Sequence, residues 1–119
     1  MGKVAIRTFQ DADLDWIAAQ HGVLYREENG FDESFEPFVR QILKTFVKKH
    51  DDARERGWIA EQDSERLGCI FCEKDSESTA RLRLFLLVPC ARGKGLGKAL
   101  LATCMNFART CGYSDIWLM

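Results

Sequence analysis

The residues with the clearest chemical potential are the consecutive ones at 92–98, Arg-Gly-Lys-Gly-Leu-Gly-Lys. They follow the apolar run Phe85-Leu86-Leu87-Val88-Pro89 and precede a stretch with helical spacing. Strand, glycine loop and helix start together make an anion site. The first turn of a helix leaves N–H groups unpaired and carries the positive end of the helix dipole. Glycine lets a backbone approach a ligand with no Cβ in the way. Gly93, Gly95 and Gly97 are therefore expected to form a phosphate cradle, with Arg92, Lys94 and Lys98 adding positive charge. Two common nucleotide loops do not fit. A Walker A loop needs Gly, then Gly-Lys-Ser/Thr after an interval of about four residues. Here Gly97-Lys98 is followed by Ala99, and position 92 is Arg. The dinucleotide pattern G-x-G-x-x-G would need its last glycine at position 98 or 100, which are Lys and Leu.

Other residues offer weaker chemistry. Cys69 and Cys72 have the spacing of a metal pair. They lie in a strand-like run, where residues three apart face opposite ways, and no second pair or nearby His completes a tetrahedral set. They read as core thiols, and no metal is expected. The five cysteines, an odd number spread through apolar stretches, suit reduced buried thiols rather than a disulfide framework. His21 shares a helical stripe with Leu14, Ile17 and Tyr25, which reads as a packed histidine. Arg81 and Arg83 alternate on one face of a strand. They would attract an acidic substrate or, on the plainer reading, form a solvated strand start.

These residues must be held by elements that the patterning also predicts. Residues 3–9 read as a strand, with Val4 and Ile6 on one face. Asp11 or Asp13 offers a cap for a helix carrying Leu14, Ile17, Ala18, His21 and Tyr25, which fades at Glu28-Asn29-Gly30. A second helix follows, capped by Asp32 or Ser34. Its apolar stripe runs through Phe35, Phe38, Val39, Ile42, Leu43, Phe46 and Val47. After a charged linker at 51–56, strands are expected at 58–61, 67–73 and 79–88, joined by turns at 63–65 and 75–78 as antiparallel hairpins. Pro89 stops the third of these because it cannot donate to the ladder. A helix from near Gly97 turns Leu100, Leu101, Cys104, Phe107, Ala108 and Cys111 inward and stops at Gly112. A last strand covers 114–119. The order is β, α, α, three antiparallel strands, α, β, an α+β chain with a mixed sheet.

Length and charge agree. The 119 residues suit a single domain, with a 46% hydrophobic share sufficient for a core without disulfides. A net charge of −1 lacks the basic excess of nucleic-acid modules, so no nucleic-acid partner is expected. No apolar run approaches a bilayer span, and the first ten residues, MGKVAIRTFQ, are too polar for a signal peptide. The reading is a cytoplasmic protein without a membrane partner.

Arg92-x-x-Gly95-x-Gly97, set behind an apolar strand and Pro89, resembles the [Arg/Gln]-x-x-Gly-x-[Gly/Ala] motif of the GNAT acyltransferase superfamily. The element order over 3–119 is similar to that fold as far as its fifth strand. Residues 21–35 and 82–97 look like the acetyltransferase half of proteins that fuse a MarR-type regulator to a GNAT domain. The resemblance implies a GNAT fold lacking its last helix and two strands, and transfer of acetyl from acetyl-CoA to a small-molecule or peptide amine. The alternative is a non-catalytic acyl-CoA-binding module left from such a regulator. It further implies that the backbone at Gly93, Lys94, Gly95, Leu96, Gly97 and Lys98 holds the pyrophosphate. The pantetheine arm would pair with Phe85, Leu86 and Leu87, where a bulge aims the Leu87 N–H at the thioester oxygen as oxyanion donor. Tyr25 and Glu28 would lie in the loop that overhangs the acceptor, although each also reads as an ordinary helix-end residue. Many family members have Asp or Glu where Val88 precedes Pro89, and many take a general acid from a Tyr on a helix beyond the fifth strand. With that strand left as an apolar edge at Ile116–Leu118, the expected assembly is a homodimer or strand-exchanged oligomer through 114–119.

Overall fold

A computed structural model describes residues 3–118. Met119, the end of the expected last strand, lies outside them. Along the chain run β1 (Ala5–Thr8), α1 (Leu14–Asn29), α2 (Phe35–Lys49), β2 (Arg56–Gln62), β3 (Glu65–Lys74), β4 (Thr79–Leu87), α3 (Leu96–Thr110) and β5 (Asp115–Leu118). Contacts divide them into two compact units, a sheet unit at 3–9 and 51–118 and a helical pair at 10–50.

In the sheet unit the strands lie in the order β1-β2-β3-β4-β5. All neighbours are antiparallel except β4 and β5. The β2–β3 hairpin closes on Asp63 and Ser64, both at positive φ (52° and 66°), the tight turn whose twist matches the flanking strands. Both strands run longer than the apolar pattern predicts, because ladder hydrogen bonds continue into polar residues such as Arg56 and Lys74. The α3 face of the sheet carries a core of Trp58, Ile70, Cys72 and Leu82 with Leu100 and Cys104 of the helix. Cys72 accepts a hydrogen bond from the Cys104 thiol, which is pushed well above its ordinary pKa mainly by that same bond and by burial. Arg81 and Arg83 are not simply solvated. Both reach Glu73 on the neighbouring strand, Arg83 at 3.1 Å and Arg81 at 3.8 Å. Among the described residues no group of three or more His, Cys, Asp or Glu is placed to hold a metal, and no helix is long and apolar enough to cross a membrane.

The helical pair departs from expectation at two points. Asp13 does not cap α1 in the usual way. Residues Asp11–Asp13 form a 3-10 turn, and the Asp13 carboxylate reaches back to accept the Gln10 N–H at 2.8 Å. Phe38, assigned to the buried stripe of α2, is 57% exposed while Val39, Leu43 and Phe46 are buried. Phe38 is one residue from Val39, about 100° around the helix, and so falls on the stripe's edge. His21 is packed as its spacing predicts. Its Nδ1 lies 2.8 Å from the Ile17 carbonyl oxygen, and burial lowers its pKa from 6.5 despite that bond. Gly30 ends α1 in the left-handed conformation at φ 71°.

Candidate functional site

The end of β4 and the turn into α3 bring most of the predicted residues together. The strand is irregular before it reaches them. Leu84 has φ 53°, and the pairing with β3 slips between Cys69 and Phe71, so β4 carries one extra residue there. The bulge expected at 85–87 therefore lies at Leu84. Its carbonyl is satisfied by the Cys69 thiol, which donates to it at 3.2 Å. Regular pairing then resumes, with Leu86 opposite Cys69 and Leu87 opposite Gly68.

That register decides where Leu87 points. The Val88 N–H donates to the Leu67 carbonyl at 2.9 Å, which makes those two a bonded pair. Bonded and non-bonded pairs alternate in an antiparallel ladder, so the preceding Leu87–Gly68 pair is non-bonded and the backbone groups of Leu87 turn away from β3. Its carbonyl shows this directly, since it accepts two bonds from the Arg92 guanidinium, Nε at 3.2 Å and Nη2 at 3.0 Å. Leu86, one residue back, belongs to a bonded pair and spends its backbone groups on β3. On the other side, β5 pairs only with Thr79 to Leu82. Among the described residues, the Leu87 N–H therefore faces a stretch of β4 edge that no strand covers.

The loop follows from local backbone demands. Residues Pro89–Ala91 make a 3-10 turn. Gly93 and Gly95 then take φ 77° and 82°, a region that other residues enter at a cost of about 1–2 kcal/mol. A Cβ built on either would meet nothing within 4 Å, so the space over this backbone is open. Gly95 caps α3 with no side-chain bond, and the N–H groups of the helix's first turn are left for an outside acceptor. Gly97 has a different role. A Cβ there would stand 3.2 Å from Leu87 Cδ1 and 3.8 Å from Phe85 Cζ, so its bareness seats α3 against β4. Leu96 buries its side chain in the sheet unit and can offer a ligand only backbone, whereas Leu86, also buried, has its backbone groups engaged with β3. Arg92, Lys94 and Lys98 are exposed.

Arg92 is thus more than a surface charge. Its fork fastens the loop to the carbonyl of the residue whose N–H faces the open edge. Gly68 also escaped sequence reasoning. A Cβ on it would come within 2.6 Å of Leu87 Cδ2 and 2.7 Å of the Leu86 carbonyl, so a glycine there lets the end of β4 settle.

Tyr25 and Glu28 belong to the helical pair. The Tyr25 ring stacks on His21 (centroids 5.6 Å apart) and on Phe35 (4.7 Å), with Phe31 edge-on at 5.4 Å. Glu28 is exposed on the last turn of α1.

Residues 14–119 match the model of the acetyltransferase (GNAT) family. The rat protein N-acetyltransferase 8F1 is 33% identical over 85 aligned residues, which cover 67% of this chain and 38% of that protein. The chain thus spans well under half the length of that curated relative. A GCN5-related N-acetyltransferase of Ralstonia eutropha JMP134 superposes with a TM-score of 0.77 at 19% identity, over 98% of this chain and 83% of the other. A predicted acetyltransferase with acetyl-CoA from Clostridium acetobutylicum gives 0.78 at 13% identity, over 98% and 80%. At such identities these two establish the fold.

Proposed function

The chain belongs to the GNAT acetyltransferase family, and on that premise we propose that it transfers an acetyl group from acetyl-CoA to an amine of a small molecule or peptide. The observation that carries this reading is the pairing of an open, left-handed glycine cradle at Gly93 and Gly95 with the outward-turned backbone of Leu87. The cradle fits a pyrophosphate. It offers first-turn N–H groups of α3, the positive end of that helix, and the charges of Arg92, Lys94 and Lys98 around a space that a single Cβ would begin to fill. When bound, acetyl-CoA supplies an acyl group activated as a thioester.

The chain's own groups divide the work. The uncovered edge at Leu87 can take an extended arm as an added strand, and its N–H can meet negative charge developing on a carbonyl oxygen. Arg92 holds the Leu87 carbonyl and so sets the orientation of that peptide. The acceptor amine is mostly protonated at neutral pH and must lose a proton before it attacks. We assign its binding to Tyr25 and Glu28. We also propose that two copies associate through β5, the last strand of the sheet among the described residues, where Trp117 and Leu118 are 44% and 63% exposed.

Calorimetry with acetyl-CoA, followed by thiol release over a panel of amines, tests the reading. Saturable binding with amine-dependent thiol release is expected. Binding without release would favour the non-catalytic acyl-CoA-binding module. Absence of binding would overturn both.

A further inference from the structure

The turn between α1 and α2 carries an unusual combination of groups. Phe31 and Phe35 pack edge-on at 4.9 Å, Phe35 stacks on Tyr25, and Phe38 lies 6.1 Å from Phe35. This aromatic set does not close on itself. Phe31 and Phe38 are 43% and 57% exposed, and with Phe35, Asp32, Ser34 and Pro37 they line a shallow hollow in the helical pair.

Asp32 is the charged residue of that lining. Its carboxylate is held below the usual range, first by the Ser34 hydroxyl and then by the Ser34 N–H. Both bonds fall on Oδ1, at 2.5 and 2.8 Å, which fixes the group in place and keeps it ionised. The surrounding sequence is acidic as well, with Glu27, Glu28, Glu33 and Glu36 against Arg26 and Arg40, the second of which pairs with Glu36. Arg26 lines a neighbouring hollow together with Asp32 and Glu33, and its charge is felt weakly at Asp32. Exposed phenyl faces beside a fixed carboxylate complement one kind of ligand. A cation is drawn to the ring faces and to the carboxylate, and an apolar body is drawn to the ring edges and Pro37. A neutral apolar group would gain only the second interaction, and an anion would be repelled.

We propose that this hollow is a binding site for an organic ammonium ion with an apolar body, such as an arylalkyl amine. Identifying that ligand as the acetyl acceptor rests on the acetyl-transfer reading above; the binding itself does not.

The test uses the full chain without acetyl-CoA. Backbone amide shifts are followed by NMR during titration with phenethylamine, which is cationic at pH 7, and with 2-phenylethanol, its neutral counterpart. The amine should shift amides at 30–38 saturably and bind at least about threefold more tightly than the alcohol, the scale of an exposed cation–π contact or ion pair. Asp32→Asn keeps an oxygen for Ser34 and should remove most of that preference. Phe38→Leu keeps the apolar contact, loses the ring face, and should weaken the amine about two- to fivefold while leaving the alcohol nearly unchanged. Both positions are exposed, and circular dichroism checks that each variant folds. Equal binding of amine and alcohol, shifts elsewhere in the chain, or an unchanged preference in Asp32→Asn would overturn the proposal. The two readings fail separately. Thiol release with amines while phenethylamine leaves 30–38 unmoved would sink this site and spare the transferase. Saturable amine binding here with no thiol release from any amine would do the reverse.

Discussion

Substituting Gly95 by Glu gives the sharpest test of the cradle, because the structure separates what the change does to the fold from what it does to a ligand. Gly95 sits at φ 82°, and no atom lies within 4 Å of a Cβ built there. The substitution therefore brings backbone strain of about 1–2 kcal/mol and no clash. A carboxylate at the N-terminus of α3 recovers part of that, about 0.3–1 kcal/mol, from the helix dipole. The net loss of about 1 kcal/mol corresponds to a fall in Tm of roughly 3–6 °C for a chain of this size. Ligand binding should suffer more. A carboxylate about 5 Å from a phosphate charge is repelled by about 1–3 kcal/mol for an effective dielectric between 80 and 20, or roughly 5- to 150-fold in affinity per charge. Gly95→Asn is the control, since Asn tolerates the left-handed region and adds no charge. Calorimetry with CoA on all three proteins, each checked by thermal melting, reads the result. A folded Gly95→Glu protein that binds CoA within twofold of the parent would refute the assignment of this loop to a pyrophosphate.

Arg92→Lys keeps the charge but loses the fork on the Leu87 carbonyl. It should leave CoA affinity within about threefold while lowering kcat about tenfold or more, because a misaimed donor costs turnover rather than binding; equal losses in kcat and affinity would count against a positioning role. His21 has a folded-state pKa lowered below 6.5 by burial, so as pH falls through 6.5 the unfolded chain takes up a proton that the folded chain refuses. Stability should then decline by up to about 1.4 kcal/mol per pH unit until the folded pKa is reached. Melting curves between pH 7.5 and 5.5 should show the decline in the parent and a clearly flatter response in His21→Leu. Association through β5 should appear in light scattering as a concentration-dependent dimer that Trp117→Lys abolishes, whereas a parent that stays monomeric at high concentration would remove the proposal.

The parts of the site that sequence reasoning reached are those where one residue's own chemistry dictates its place. Gly93 and Gly95, singled out for the bare backbone they would lend a ligand, both take a positive φ, and Pro89 follows the end of β4 because it cannot donate in a ladder. The order of strands and helices is legible for the same reason, each being announced by periodicity within a short window. What was missed depends on residues distant in sequence. Nothing in Leu84-Phe85-Leu86-Leu87 marks Leu84 for a left-handed bulge; that follows from the ladder with β3 and from the Cys69 thiol, fifteen residues earlier, that donates to its carbonyl. The role of Gly68 exists only because Leu86 and Leu87 come to lie across from it. Phe38 fits an apolar stripe by type, and its exposure is decided by how far around α2 the stripe is buried. Arg92 combines both cases. Its position in the motif marks a loop with positive charge, yet the fork on Leu87 follows from where β4 ends, so the same residue is a phosphate candidate by sequence and a clamp on the strand edge by structure. A loop motif can therefore point to a ligand class while the element before it, set by non-local pairing, decides whether a reactive carbonyl would meet a donor.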